Sequence, residues 1–445
     1  RDIEGFTWDE PEEANYIDHH VYAKLRQLQF KPSPLANEST FVRRVFLDTI
    51  GLLPTEEELE QYLSDPSPTR REELIDQLLE RPEYAKFWAQ KWGDLLRVST
   101  KLIGVPSVHK FNRWLEASVA SNQPYDQFAE QILLATGSTR QHPQGNFFRS
   151  AADTNDATET AAQVFLGTRI QCAKCHNHPF ERWTQGNYYG LSAFFSRLQR
   201  SKTNQKDEVL LWSKEEGEVV HPATGQTAKP WVPVAGEIQT RQSDRRFAFA
   251  DWLTAEQNPL FAKIEVNRIW AQLMGQGIVE PFDDFRDSNP PANSELLEAL
   301  AKDFVASGYD RRHIIRTVLL SHTYQASSDT NPWNEDDRSY FSHYRARLMT
   351  AEQLVDALGY VTNKPETFFG VPVSTKATWV PAPDLKPHDR AKIGSVEFLK
   401  VFGQPERQSA CECERSRDVS LGHALELLGR EHVDERVRAK TNLVD

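Results

Sequence analysis

The chain has 445 residues, 39% hydrophobic and 11% aromatic, with a formal net charge of −12 at pH 7. That length suits two or three cores better than one, and the load of large apolar side chains excludes an intrinsically disordered protein. The acidic balance argues against a nucleic-acid surface, which needs clustered Lys and Arg, and no run approaches the roughly 20 apolar residues of a membrane-spanning helix.

The N-terminus is polar and has no basic-then-apolar leader, so it reads as a mature start from which an export signal has been removed. Ile17, Val21, Leu25 and Leu28 recur at helical spacing until Lys31-Pro-Ser-Pro34 stops the run, setting residues 1–36 apart as a leader that becomes helical. Asn37-Glu-Ser39-Thr40 caps an amphipathic helix over Phe41 to Ile50. Thr55, followed by Glu56 and Glu57, is the N-cap of the next, because acids in a first turn face the positive end of the helix dipole. Helical patterns continue over Arg71 to Leu79, Tyr84 to Val98 and Lys110 to Thr136. Residues 137–156 read as a loop, and Ala157 to Gly167 is again a helix. Trp183 to Arg200 is an aromatic segment suited to walling a flat cofactor or to packing on the core.

Residues 201–243 change character: Val209 to Trp212, Glu218 to Val220 and Trp231 to Val234 suggest short strands in a β insertion or linker. Helices return at Arg246 to Leu253, Lys263 to Met274, Ser294 to Ser307, Arg311 to His322 and Met349 to Gly359. A Pro-rich irregular stretch over Thr362 to Gly394 precedes Ser395 to Phe402 and a last helical region from Ser420. The expected class is mainly α, a multi-helical two-domain protein: a helical domain over 37–200, the β-containing insertion over 201–243 and a second helical domain over 244–445.

The chemistry concentrates in Cys172-Ala-Lys-Cys175-His176-Asn-His178. Cys-x-x-Cys-His is the spacing for covalent haem c attachment, with two thioethers from the thiols and the adjacent imidazole as proximal iron ligand. On that reading Cys172, Cys175 and His176 bind the cofactor, while His178 meets a propionate or serves a second site. The four cysteines form two tight pairs, 172/175 and 411/413. A second reading joins them in a zinc or iron site, with His176 or His178 able to replace a thiolate. A third makes them disulfides in an exported structural or interaction protein. Glu412, Glu414 and Arg415, beside the second pair, are either a satisfied ion-pair network or the wall of a site. Asp283 and Asp284 suit acid/base work, Ca²⁺ or the capping of a turn. Asn267, Arg268 and Trp270 share a helix whose Arg reads as structural. No Ser-His-Asp arrangement, phosphate-binding glycine loop or His-Glu-x-x-His helix is present.

Several stretches together resemble one family. Arg43-Arg44, Gly51-Leu-Leu-Pro54-Thr55, Leu78-Leu79 and Trp88 to Trp92, then Phe165-Leu-Gly167 leading into the cysteine motif with Tyr188-Tyr189 and Phe194 behind it, resemble the planctomycete cytochrome-C-like domain. Arg245-Arg246, Asn258-Pro259, Asn267-Arg-Ile-Trp270, Gly275-Gln-Gly277, Asp283-Asp-Phe285, Ser321-His-Thr-Tyr324 and Cys411-Glu-Cys-Glu-Arg415 resemble the domain that usually follows it. The chain departs from that pattern at Pro291-Ala-Asn293-Ser294, where a Pro-Thr-His-Pro run is usual. The resemblance implies export and a c-type haem, in families of undefined biochemistry. The expected function is electron transfer or haem-dependent redox catalysis with a redox partner or small-molecule substrate. The alternative is a non-haem zinc or iron enzyme acting on carbohydrate.

Overall fold

A computed structural model of the chain describes residues 3–179, 181–385, 393–411, 414–415, 420–429 and 431–438. Helices dominate, and the strands form two small antiparallel sheets, so the protein is mainly α with small β parts. Its backbone partitions into two compact units, one of residues 1–36 with 121–345, the other of residues 37–120 with 346–445. Each takes chain from both sides of residue 200. Chain entropy permits this, because the cost of closing a loop grows only slowly with its length.

The first unit is organised around the helix Pro259–Met274. Asn258 caps it by accepting the Leu260 N–H at 3.0 Å, Pro259 supplies a preset φ at its start, and Gly275 (φ +80°) ends it in the left-handed region. Phe261, Ile264, Val266, Ile269, Trp270 and Leu273 are all buried, so this helix is apolar nearly all round. It packs against Ser294–Ala306, Arg311–Leu320 and Thr154–Leu166. Asn267, also buried, uses its amide to receive the N–H groups of Ile278 and Val279 and to donate to the Val279 carbonyl, shaping the following turn. Arg268 donates to Glu265 and, at 2.6 Å, to the Val164 carbonyl, the structural role its helix position suggests. The N-terminal helix Tyr16–Leu28 is stitched into this unit by buried Asp18, which accepts Thr323 N–H (2.8 Å), Thr323 O–H (2.7 Å) and His322 N–H (3.0 Å).

The three-stranded sheet holds Val209–Ser213 in the middle, between Leu198–Lys202 and Gly137–Ser138. The last strand lies in a stretch expected to be loop. Two residues are too short to show the period-2 alternation that betrays a strand, and only their partner defines them. Trp231–Val232 and Gly236–Glu237 form the second hairpin, whereas Val220 makes only an isolated bridge with Thr227. Of the aromatic segment after Trp183, only Gln185–Ser192 is helical.

In the second unit Pro82–Leu95 packs on Val105–Ala120, and Asn37 and Thr55 cap Glu38–Thr49 and Glu56–Ser64 as their side chains foretell. Thr55 and Glu58 close a reciprocal capping box. Gly51 (φ +77°) ends the first of these where the Phe87 ring presses against its Cα, leaving no space for a Cβ. Behind Pro82–Leu95 runs an ion-pair network of Asp94, Glu352, Arg407 and Arg415, each arginine side chain under 5% exposed.

Candidate haem-attachment site

The cysteine motif is delivered by the helix Thr154–Leu166. Asp153 caps its start, and Gly167 (φ +56°) ends it. A Cβ at Gly167 would stand 2.9 Å from Ile264 Cγ1 and 3.0 Å from Phe285 Cδ2, so both backbone sign and steric room demand glycine there. Asp283 anchors the next turn, accepting from Gln163 Nε2 at 2.6 Å and Arg169 Nη2 at 2.5 Å, and Asp284 pairs with Arg286 at 2.8 Å. Both aspartates are buried and each has a cationic partner. Their placement therefore braces the approach to the motif.

Cys172 lies in the 3-10 turn Gln171–Lys174 and Cys175 directly follows it. Ala173 between them is fully buried, facing an apolar pocket whose walls include Trp183, Tyr188, Leu191 and Trp231. Its neighbours are thereby turned outward: both cysteines are exposed and carry free thiols. The outer loop is tied down from the helix Gln185–Ser192, which Thr184 and Asn187 start with a capping box. Gln185 Nε2 donates to the carbonyls of Lys174 (3.0 Å) and Cys175 (3.1 Å), and the Tyr189 hydroxyl donates to Lys174 O at 3.1 Å. Gln185 N–H donates to Asn177 Oδ1 at 3.0 Å, and His178 N–H to Trp183 O at 2.8 Å. Below the loop, Tyr188 donates to Glu159 Oε1 at 2.5 Å, and Lys174 stands 3.7 Å from the same oxygen. Burial, reinforced by Glu159, pushes the Tyr188 phenol far above its ordinary pKa, so it acts as a fixed donor.

His176 is exposed, with Nδ1 2.7 Å from the carbonyl oxygen of Asn177. A carbonyl only accepts, so Nδ1 carries the proton and Nε2 of the neutral ring keeps its lone pair. That is the tautomer of a metal-ligating histidine oriented by a backbone acceptor. The donor set thus fits thioether attachment plus one imidazole ligand. The pocket behind Ala173, about 10 Å³, has room for about one water and so encloses neither a porphyrin nor a substrate.

The remaining residues singled out by sequence fall elsewhere. Cys411 is disulfide-bonded and belongs to the second unit, whereas Cys172, Cys175, His176 and His178 belong to the first. Glu412 and Cys413 lie outside the described residues. Glu414 accepts the N–H groups of Gln408 and Ser409, closing its own turn. Arg415 is spent on Glu352 and Asp94. Among the described residues no three His, Cys, Asp or Glu side chains gather as metal ligands. No helix there is long and apolar enough to cross a membrane. Gln185, Gln163, Arg169 and Glu159, which hold the motif in place, carry no signal in the sequence beyond Thr184 as a helix start.

Residues 16–200 match the family described as PSCyt2, a protein of unknown function (DUF1549), and residues 245–444 match PSD1, a protein of unknown function (DUF1553). This is the two-domain planctomycete cytochrome-C-like pairing, with the cysteine motif inside the first match. No curated protein and no solved structure matches the chain.

Proposed function

We propose that this PSCyt2–PSD1 chain is an exported c-type haem protein, with Cys172 and Cys175 as the thioether anchors and His176 as the iron ligand. The observation that carries the reading is the outward presentation of two free thiols around buried Ala173, beside an imidazole whose Nδ1–H is already committed to Asn177. When bound, haem supplies one-electron chemistry. The chain's own residues hold the attachment loop: Gln185 and Tyr189 fix the carbonyls of Lys174 and Cys175, and the Asn177 carbonyl, by accepting from Nδ1, selects the tautomer of His176 whose lone pair lies on Nε2. Such an attached haem would serve electron transfer with a redox partner or haem-dependent redox catalysis.

The test is expression into an oxidising compartment together with haem-maturation machinery. A Soret band that survives acid–acetone extraction, and disappears in Cys172→Ser with Cys175→Ser, supports the assignment. A colourless protein from that system refutes it. Metal analysis and a thiol count on the same sample then choose between a non-haem zinc or iron site and a disulfide.

A further inference from the structure

The first unit contains a second feature that the cysteine motif does not use, a cavity of about 250 Å³ beside the end of the central helix Pro259–Met274. Its size is just below that of pockets for drug-like ligands, and so suits a small molecule. Met274 and Phe341 give it an apolar side. Phe341 adopts φ +64°, a conformation an aromatic residue rarely takes, and its ring meets Trp270 edge-on with centroids 5.0 Å apart. Backbone strain of this kind persists only where the surroundings impose it, and it gathers at ligand sites.

The polar side is positive. Arg338 and Arg345 both line the cavity and both are exposed. Arg345 is positioned by Gln276, whose Oε1 accepts from its Nη1 at 2.6 Å, while Arg338 donates from Nη1 to the Glu335 carbonyl at 3.1 Å. Neither bond neutralises a guanidinium. The one acid in the lining, Asp337, is 4% exposed and saturated by its own turn. It accepts the N–H groups of Ser339, Tyr340 and Ser342, each at 2.9 Å, and the Ser342 hydroxyl at 2.6 Å. Because Ser342 gives its proton to Asp337, its oxygen is left to accept from His343 Nδ1, 3.3 Å away. That chain orients the His343 ring and leaves Nε2 as an acceptor. Burial above all, and the two arginines against the pull of Asp337, hold the His343 pKa below its ordinary value, so the ring is neutral at pH 7.

We infer that this cavity binds a small hydroxylated organic anion, a carboxylate or a sulfate or phosphate monoester. Arg338 and Arg345 grip the oxyanion, His343 Nε2 accepts from a hydroxyl, and Phe341 with Met274 lies under the carbon skeleton. Arginine is suited to the first task because its planar fork matches the oxygens of such groups. None of its lining residues belongs to the Cys172 loop.

The experiment is calorimetric titration of the full chain at low salt with four probes: glucuronate, glucose 6-sulfate, glucose 6-phosphate and uncharged glucose. The expected result is saturable binding of at least one anion and none of glucose, and the strongest anion distinguishes carboxylate from ester recognition. Arg338→Gln and Arg345→Gln each weaken that binding by about tenfold or more, the loss of one charge-assisted hydrogen bond. Both arginines are exposed, so the variants retain the parent circular dichroism and melting temperature. Absence of saturable anion binding, equal binding of glucose, or anion binding unchanged in the double arginine variant overturns the inference.

Discussion

Replacing Arg415 by Met tests whether the residues beside Cys411 are structural or form the wall of a site. Arg415 donates to Glu352 Oε2 at 2.8 Å, to Glu352 Oε1 at 3.3 Å and to Asp94 Oδ2 at 2.8 Å. In the variant Asp94 keeps Arg407, whose Nε is 2.8 Å from Oδ1, but Glu352 loses both bonds while its side chain is only 2% exposed. Stranding one member of a buried pair costs about 3–5 kcal/mol, a large part of the roughly 5–15 kcal/mol that stabilises a typical domain. The charge state adds a signature. Burial by itself would raise the Glu352 pKa, but the Arg415 guanidinium outweighs it and holds the group at about 2. A depressed carboxyl contributes stability that is present above its ordinary value of 4.5 and lost as pH falls toward 2. In Arg415→Met only Lys91 and a backbone hydrogen bond still oppose burial, so the folded-state pKa rises; once it exceeds 4.5 the sign reverses, and the penalty is small in acid and grows as pH rises through the new value. Hydrogen exchange of peptides from Pro82–Leu95 and Ala351–Val361, measured at pH 5 and pH 8, reads both effects locally. Adding Glu352→Met removes the stranded charge and recovers part of the loss. A change in opening free energy below about 1 kcal/mol, the worth of an exposed pair, would sink the structural reading.

Three further outcomes are expected. Gly51→Ala places a Cβ against the Phe87 ring at φ +77° and lowers the thermal midpoint, at a cost of about 1–3 kcal/mol; an unchanged melt contradicts it. Gln185→Ala removes two hydrogen bonds to the attachment loop, about 0.5–1.5 kcal/mol each, and speeds amide exchange over residues 172–176 while leaving Pro259–Met274 protected. Asp356 is pushed up to about 6, chiefly by burial, against donors from Ala377 and Thr378. Its contribution is present below its ordinary 3.8 and lost as pH rises through about 6, so Asp356→Asn flattens the stability slope between those values. A parallel slope in the two proteins would show that another group is responsible.

The sequence by itself determined what is local. Asn37 and Thr55 start helices because a cap acts on backbone groups within three residues of it, and those starts are where the side chains say, whereas the helix expected from Lys263 begins four residues earlier, capped by Asn258. Periodicity was enough for the mainly α class, and the cysteine motif was legible because its chemistry is held in seven consecutive residues. Tertiary structure alone decided the rest. Gly137–Ser138 became a strand only by finding Leu210 and Leu211, and Arg407 and Arg415 took partners at positions 94 and 352. Sequence separation is nearly silent about such contacts, because closing a long loop costs little more than closing a short one, while burial and the need to pair every buried charge select the partner. The same rule explains the attachment loop. Cys172, Cys175 and His176 are visible in one dimension, but the buried Ala173 that turns the thiols outward and the Gln185 side chain that holds the loop's carbonyls are properties of packing.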